Sequence, residues 1–188
     1  RALPACRYDQ GEGYDYFDEA GQSLRKAFLK SPVEFSRISS HYNLKRFHPI
    51  LQKTKAHYGT DYAAPKGTPI LAVGDGVVSK SSYTKGNEKY VKIRHNKTYE
   101  TQYLHMSRRA VSAGESVKQG QVIGYVGSTG LATGPHVCFR FWKNGKQVNH
   151  LREEFPPSTP IEKEKMNAFQ ATVQELSTAI TALSVARK

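Results

Sequence analysis

The chain has 188 residues, 38% of them hydrophobic, enough for one domain with extensions around a modest core. No run approaches the roughly 18 consecutive apolar residues that a membrane-spanning helix needs, so we expect no transmembrane segment. The formal net charge of +12 indicates a polyanionic partner. The basic residues are scattered and accompany no nucleic-acid-binding motif, so we expect no nucleic-acid partner. The charge fits a carboxylate-bearing polymer or a generally cationic, solvated surface.

The first part of the chain predicts an extension that precedes the main domain. Residues 1–13 are typical of an irregular tail. Residues 14–30 contain two apolar-rich runs around an Asp-Glu-Ala-Gly turn, which predicts a β-hairpin. We therefore assign residues 1–36 to an N-terminal tail and hairpin extension. Because the sequence begins with Arg1 rather than Met, the lack of a signal peptide says nothing about secretion.

Short strand-like runs dominate the chain from Gly59 onwards, and turn residues separate them. The Asn144-Gly145 pair is typical of a tight hairpin, because a type I′ turn needs positive φ at both central residues. Many short strands with Gly-rich turns predict a mainly β, antiparallel sandwich or barrel. The predicted strands are 69–73, 76–82, 90–95, 99–106, 121–126, 137–142 and 146–149.

The last part of the chain, residues 151–188, predicts a linker and an amphipathic α-helix. Thr159, Pro160 and Glu162 fit the N-cap, N1 and N3 positions of a capping box. The helix either lies against its own domain or forms the seam of a self-associated dimer. Apolar residues follow at alternating spacings of three and four, a short heptad stripe: Met166, Phe169, Val173, Leu176, Ile180 and Leu183.

Two pairs of residues have the chemistry of metal ligands. His57 and Asp61 are four residues apart, a spacing that puts both on one face of a strand or a helix. His136 and Cys138 alternate on a predicted strand, so they also share a face. Imidazole, carboxylate and thiolate are all zinc ligands. His105 ends another predicted strand and could reach the same cleft. The pairs alone leave open a metal site, its remains, or buried neighbours.

Five segments that follow one another between residues 57 and 139 are specific enough to identify a family: HYGTD, APKGTPILAVGDGVV, YVKIRH, TQYLHM and GESVKQGQVIGYVGSTGLATGPHVCF. In this order they resemble the zinc metallopeptidases of the LytM/lysostaphin type, peptidase family M23. The upstream segment RFHPI is also similar to the family's leading segment. The resemblance covers residues 37–150, which we assign to the peptidase-like domain. It implies a small, strongly twisted antiparallel β-sheet with a groove across it.

The resemblance assigns a role to each residue of the predicted site. It implies that His57 and Asp61 are the first two ligands of one zinc ion. Cys138 stands where the family has its third ligand, a histidine. His105 and His136 fall on the catalytic residues, which flank a metal-bound water, the nucleophile, and act in proton transfer and oxyanion stabilisation.

Two further residues are predicted to bind substrate. Tyr103 alternates with His105 and is expected to help bind the oxyanion or the substrate. Asn43 is a candidate groove or latency residue, because some family members block the metal with an upstream asparagine. The cysteine at position 138 also changes the charge of the predicted metal centre. With Asp61, the Cys138 thiolate brings the total ligand charge to −2. A less positive zinc centre acidifies its bound water less.

The resemblance implies a zinc-dependent endopeptidase that hydrolyses peptide cross-links of bacterial peptidoglycan. We expect it to act on stem peptides in the cell envelope, either in the periplasm or after secretion. The alternative is a catalytically weak or inactive LytM-type module that binds the cell wall or activates a wall amidase. Cys138 is the residue that keeps this alternative open.

Overall fold

The structure, a computed structural model, describes residues 5–11, 14–48, 53–54, 56–128 and 134–185. It divides into two compact units. The terminal unit comprises residues 1–27 and 155–188, and the central unit comprises residues 28–154. No helix within the described ranges is long and apolar enough to cross a membrane.

The terminal unit packs a two-stranded hairpin against a helix. Strand β1 (Cys6–Asp9) pairs antiparallel with β2 (Tyr14–Phe17), and the helix α1 spans Met166–Val185. The buried core consists of Cys6, Phe17, Ile161 and Phe169. The two ends of the chain, predicted from sequence to be separate extensions, share one core.

The hairpin differs from the one predicted over residues 14–30. The Asp18–Gly21 turn is present, because the Gly21 N–H donates to the Asp18 carbonyl at 2.9 Å. Beyond that turn, Ser23 pairs with Phe17 through an isolated bridge and not through a continuous ladder. The prediction was wrong about the partner of β2, which is β1, inside the segment expected to be an irregular tail. Cys6 and Phe17 lie opposite each other in this hairpin and are both buried, so β1 provides the apolar surface that the tail was not expected to have.

The helix begins later than the capping box predicts. Ile161 is buried, and its N–H donates to the carbonyl of Gly21. Glu162 has extended φ/ψ of −62° and 143°, and a short 3₁₀ turn over Lys163–Lys165 precedes α1. The predicted start at Thr159 was therefore wrong, because tertiary burial of Ile161 keeps the chain extended there. Met166 and Val173 pack on the terminal-unit core, whereas Leu176 and Ile180 further along α1 are exposed.

The central unit is a mainly antiparallel β structure, as predicted. Its main sheet runs in the order β11-β8-β9-β10-β13-β6-β3; β12 pairs with β10 and β7, β14 pairs with β13, and β4 and β5 form a separate pair. The strands are β3 Arg37–Ser40, β4 Phe47–His48, β5 Lys53–Thr54, β6 Thr60–Ala63, β7 Pro69–Leu71, β8 Gly76–Thr84, β9 Glu88–Arg94, β10 Tyr99–Arg109, β11 Ser116–Val117, β12 Val122–Val126, β13 His136–Lys143 and β14 Lys146–Val148.

The central unit begins before residue 37. The Leu29 N–H donates to the Val73 carbonyl at 2.7 Å, and the Leu71 N–H donates to the Pro32 carbonyl at 2.8 Å. The ring of Phe28 packs edge-on against that of Phe141, with centroids 5.2 Å apart. Residues 28–36, assigned from sequence to the N-terminal extension, therefore pack with the sheet.

The register of β13 with its neighbours positions the site. Tyr103 of β10 lies opposite Phe139, and the next residue, Leu104, lies opposite Cys138. On the other side of β13, Cys138 lies opposite Asp61 of β6. Since neighbouring strands present opposed residues on the same face, Asp61 and Cys138 emerge together. Phe139 emerges on the opposite face, in the core.

Candidate metal centre

Backbone contacts fix His57 beside β6. Its N–H donates to the Asn43 carbonyl at 2.8 Å, and the Asn43 N–H donates to the His57 carbonyl at 3.0 Å. The imidazole Nδ1 lies 3.0 Å from the His41 carbonyl oxygen. A carbonyl oxygen only accepts, so Nδ1 carries the proton and the neutral ring has its lone pair at Nε2.

Nε2 of His57 lies close to one possible ligand atom each from Asp61 and Cys138. Nε2 of His57 lies 3.0 Å from Oδ1 of Asp61 and 3.5 Å from Sγ of Cys138. All three ligand atoms lie within 4.8 Å of one another, and the three residues are 7%, 9% and 3% exposed. Oδ1 of Asp61 is buried and makes no well-formed hydrogen bond to any described residue. Two buried lone pairs 3.0 Å apart repel each other unless a cation lies with them.

This donor set fits zinc. One imidazole nitrogen, one carboxylate oxygen and one thiolate are all accepted by Zn²⁺, and three protein ligands are typical of a catalytic site. Burial raises the pKa of Asp61, but the neighbouring imidazoles of His57 and His136 outweigh burial and lower that pKa overall.

Cys138 is a candidate ligand, and its surroundings favour the neutral thiol. Burial raises the pKa of Cys138, the charge of Asp61 raises it further, and Arg140 opposes both. Metal binding ionises such a thiol, since the thiolate is the ligating form. Gly59 allows the close approach, because a Cβ there would lie 2.8 Å from Sγ of Cys138. Both cysteines of the chain are free.

Arg46 is a site residue that the sequence analysis did not single out. Its Nη1 lies 3.6 Å from Oδ2 of Asp61 and donates to Oγ of Ser40 at 2.9 Å. The guanidinium therefore faces the second oxygen of the ligand carboxylate and offsets part of the negative ligand charge. The available signal was the place of Arg46 at the head of the segment RFHPI.

His105 and His136 lie beside the three ligands. Their ring centroids are 5.0 Å apart. His136 donates from Nδ1 to the Gly134 carbonyl at 2.9 Å, and its Nε2 lies 3.9 Å from Oδ1 of Asp61. Burial and the charge of His136 lower the pKa of His105, and Glu88 acts in the opposite direction. The structure thus brings together all five residues predicted as ligands or catalytic residues.

Tyr103 lies elsewhere. It is fully buried on the Phe139 face of the sheet, and its hydroxyl accepts hydrogen bonds from the Val73 N–H and the Thr101 hydroxyl, both at 3.0 Å. The expectation that Tyr103 binds substrate is corrected, because a β-bulge between Tyr103 and Met106, with a φ of 62° at His105, breaks the simple alternation.

Asn43 lies next to the site through its backbone. Its side-chain oxygen accepts a hydrogen bond from the Lys45 N–H at 2.8 Å, which closes a local turn. The side chain is exposed and is not among the converging donor atoms. What Asn43 does here is to hold the backbone of His57.

Comparison with known proteins identifies relatives that align with most of the chain. The sequence pattern of peptidase family M23 matches residues 55–150. The peptidoglycan DD-endopeptidase ShyC of Vibrio cholerae serotype O1 is 49% identical over 161 residues, 86% of this chain and 37% of that protein. The DD-carboxypeptidase/endopeptidase Mpg of Neisseria meningitidis serogroup B is 39% identical over 168 residues, 88% of this chain and 38% of that protein. The chain thus spans under two fifths of the length of these relatives.

Solved structures share the fold. A zinc-containing peptidase from Vibrio cholerae superposes with a TM-score of 0.66 and 36% identity, covering 81% of this chain and 47% of that chain. The catalytic domain of lysostaphin from Staphylococcus simulans superposes with a TM-score of 0.55 and 26% identity, covering 62% of this chain and 90% of that chain. Both similarities support the LytM/lysostaphin-type architecture predicted from sequence.

Proposed function

The chain belongs to peptidase family M23, and on that premise we propose that it is a zinc-dependent endopeptidase that hydrolyses peptide cross-links of bacterial peptidoglycan. One observation carries the proposal: the possible ligand atoms of His57, Asp61 and Cys138 converge, and the imidazoles of His105 and His136 lie beside them. The names of the relatives ShyC and Mpg support the substrate class. The net charge of +12 suits carboxylate-bearing stem peptides. We place this activity in the cell envelope, in the periplasm or outside the cell.

His57, Asp61 and Cys138 would hold one zinc ion. Bound there, zinc would acidify a water molecule and polarise the scissile carbonyl. The His41 carbonyl holds the Nδ1 proton of His57, so the lone pair of Nε2 would bind the ion. Arg46 holds Asp61 through its second oxygen.

His105 and His136 would move the protons of the reaction. With His136 Nδ1 held by the Gly134 carbonyl, Nε2 is the nitrogen on the Asp61 side and can accept a proton there. The neighbouring imidazole of His105 can take up a proton at Nε2. As an imidazolium it would stabilise the charge that develops on the carbonyl oxygen and return that proton to the leaving amine.

A second candidate function is favoured by Cys138 itself. Burial raises the pKa of this thiol, so part of the energy of zinc binding goes into ionising it. A weakly loaded centre would leave an LytM-type module that binds the wall, or activates an amidase, without cleaving.

The test is metal analysis and digestion of purified cross-linked muropeptides, read by chromatography. We expect one zinc per chain and cleavage by the wild type. His57→Ala should lose the zinc. His105→Ala should keep the zinc and lose ~10²–10⁴-fold in turnover, the usual contribution of acid–base catalysis. Cys138→His should keep zinc with equal or greater turnover, because the ligand charge becomes less negative.

Two results would contradict this proposal. A wild type that binds intact sacculi but cleaves no muropeptide would support the module. Equal turnover by His105→Ala would remove His105 from the catalytic residues, even if zinc were present.

A further inference from the structure

Glu88 is a buried acidic residue beside His105. It is the first residue of β9, is 8% exposed, and has a φ of 56°. This left-handed conformation is unfavourable for a residue with a Cβ, and burial of a carboxylate adds a desolvation cost. Strained, buried and charged residues of this kind cluster at functional sites.

Glu88 faces the Nδ1 atom of His105. Its Oε2 lies 3.4 Å from Nδ1, and the side chain of His105 is 18% exposed. Nδ1 itself is buried and makes no well-formed hydrogen bond to the described residues. The 3.4 Å separation is only slightly longer than the 2.7–3.2 Å range of a well-formed N–H···O bond. Catalytic hydrogen bonds in free enzymes are often long and tighten when substrate binds.

A β-bulge in β10 brings His105 close to Glu88. Along the β9–β10 ladder, Tyr103 lies opposite Val91, but the next paired residues are Met106 and Lys89, so β10 carries one extra residue. His105 sits in this bulge with its own positive φ of 62°. The bulge thus directs the His105 ring away from the core face that Tyr103 occupies and towards both Glu88 and His136.

We propose that Glu88 is a positioning residue for His105: its carboxylate accepts a hydrogen bond from the Nδ1–H group and so presents Nε2 of His105 to the substrate. The inference rests on the proposed function, because it assigns a partner to the imidazole that handles protons and oxyanion charge. A neutral imidazole exists as two tautomers, and the partner of one nitrogen decides which atom serves the reaction. Without an anion at Nδ1, both tautomers are populated and the ring can rotate.

Two substitutions at one position separate positioning from folding. Glu88→Gly removes the carboxylate and also the backbone strain, because glycine adopts positive φ readily. It should therefore unfold at an equal or higher temperature than the wild type. Glu88→Gln keeps an oxygen acceptor and removes the charge. Glu100→Gln is the matched control, since Glu100 forms an ion pair with Lys92 at 2.7 Å in the same sheet.

The first readout is the steady-state kinetics of the zinc-loaded protein on muropeptides. Loss of a partner that orients a site group typically costs 10–100-fold. We expect kcat to fall about 10–100-fold in Glu88→Gly and less in Glu88→Gln, with KM and zinc content unchanged. Glu100→Gln should match the wild type. A lower unfolding temperature with unchanged kcat in Glu88→Gly would show that Glu88 is structural and overturn the proposal.

The second readout does not need turnover. Imidazole ¹⁵N chemical shifts of histidine-labelled protein distinguish the two tautomers. His105 should be protonated at Nδ1 in the wild type and should become a mixture in Glu88→Gly. The same tautomer in both proteins would refute the proposal. If the wild type cleaves no muropeptide, the proposed function fails, and the tautomer measurement still decides whether Glu88 orients His105.

Discussion

Single residues decide how closely the ligand atoms approach one another. At Gly59, a Cβ would lie 2.8 Å from Sγ of Cys138 and 2.9 Å from the Phe139 carbonyl oxygen. The second of these is backbone in a sheet and cannot move away cheaply. We predict that Gly59→Ala displaces the thiol, weakens zinc binding and costs about 1–3 kcal/mol of stability, as overpacking generally does. Chelator competition and thermal denaturation measure the two effects.

The control for this prediction is Gly86→Ala. A Cβ at Gly86 would meet no heavy atom within 4 Å. This variant should keep the zinc affinity of the wild type. If Gly59→Ala also kept it, the close packing against Cys138 would have no bearing on the metal centre.

At the residue scale, the sequence predicts which side chains can bind a metal or move protons better than it predicts the residues that surround them. His57, Asp61, His105, His136 and Cys138 could be predicted because their spacing and their order along the chain are local patterns. Arg46, Glu88 and Gly59 could not, since their contacts are made across strands and loops. Tyr103 was misplaced for a related reason: the bulge that turns His105 towards the site has no marker in the letters QYLHM.

A short 3₁₀ turn outside the candidate metal centre is expected to make the stability of the protein depend on pH. In the 3₁₀ turn His150–Arg152 after β14, His150 is buried, and its Nε2 lies 2.8 Å from the Tyr62 hydroxyl. The Tyr62 hydroxyl donates to the Lys30 carbonyl at 3.1 Å, so it accepts from His150. Burial lowers the pKa of His150 from 6.5 to about 4.

We predict that this turn loses stability in mild acid. Between pH 4 and 6.5 the unfolded chain binds a proton at His150 that the folded chain does not. The stabilisation is therefore present above about pH 6.5 and falls as the pH drops, by on the order of 3 kcal/mol at most. His150→Leu should flatten the dependence of the unfolding temperature on pH in this window. An equally steep dependence in this variant would assign the effect to other groups.

Helix α1 has a packed part and an exposed part, which differ in their contribution to stability. The Phe169 ring is fully buried, with centroids 5.3 Å from that of Tyr8 and 5.9 Å from that of Phe17. We predict that Phe169→Ala destabilises the terminal unit by about 3–5 kcal/mol, the usual cost of removing a core aromatic. Urea unfolding followed by circular dichroism at the helical band measures the change.

Leu176→Ala is the matched control on the same helix. Leu176 is 44% exposed, so its substitution should change the unfolding free energy by under about 1 kcal/mol. Equal losses for the two variants would mean that burial does not set the stability of α1. Association through the exposed part of the stripe stays a prediction.

At the element scale, the strands predicted between residues 69 and 149 agree with the structure, whereas the elements near the two ends of the chain were predicted poorly. The runs from residue 69 to residue 149 each contain an observed strand, because turn residues separate them in the sequence. The hairpin partner and the first residue of α1 were missed. In both places a distant contact decides the local conformation: Cys6 beside Phe17, and the Ile161 N–H on the Gly21 carbonyl.

The whole molecule has two separate cores, and this predicts how it tolerates truncation. All residues of the candidate metal centre belong to the central unit, residues 28–154. We predict that the fragment 28–154 folds, binds one zinc ion and cleaves muropeptides at the rate of the full chain. Circular dichroism, metal analysis and the muropeptide assay check this. A fragment that is unfolded, or folded without zinc, would show that the terminal unit is required.

A one-sided truncation should behave differently. Removal of residues 155–188 takes away Ile161 and Phe169, which cover Cys6 and Phe17. The hairpin would then expose an apolar face, so we predict a chain that keeps its activity per folded molecule but self-associates. Size-exclusion chromatography of the one-sided and two-sided truncations separates the two outcomes.

The shared core of the two chain ends also orders events in time. Residues 6–17 leave the ribosome early, but Ile161 and Phe169 follow only after the whole central unit has been made. Since domains generally fold as units during synthesis, the sheet of the central unit can be complete before the helix that packs on the hairpin has been made. In the growing chain, the central unit can therefore fold before the terminal unit, whose two segments flank it in the sequence.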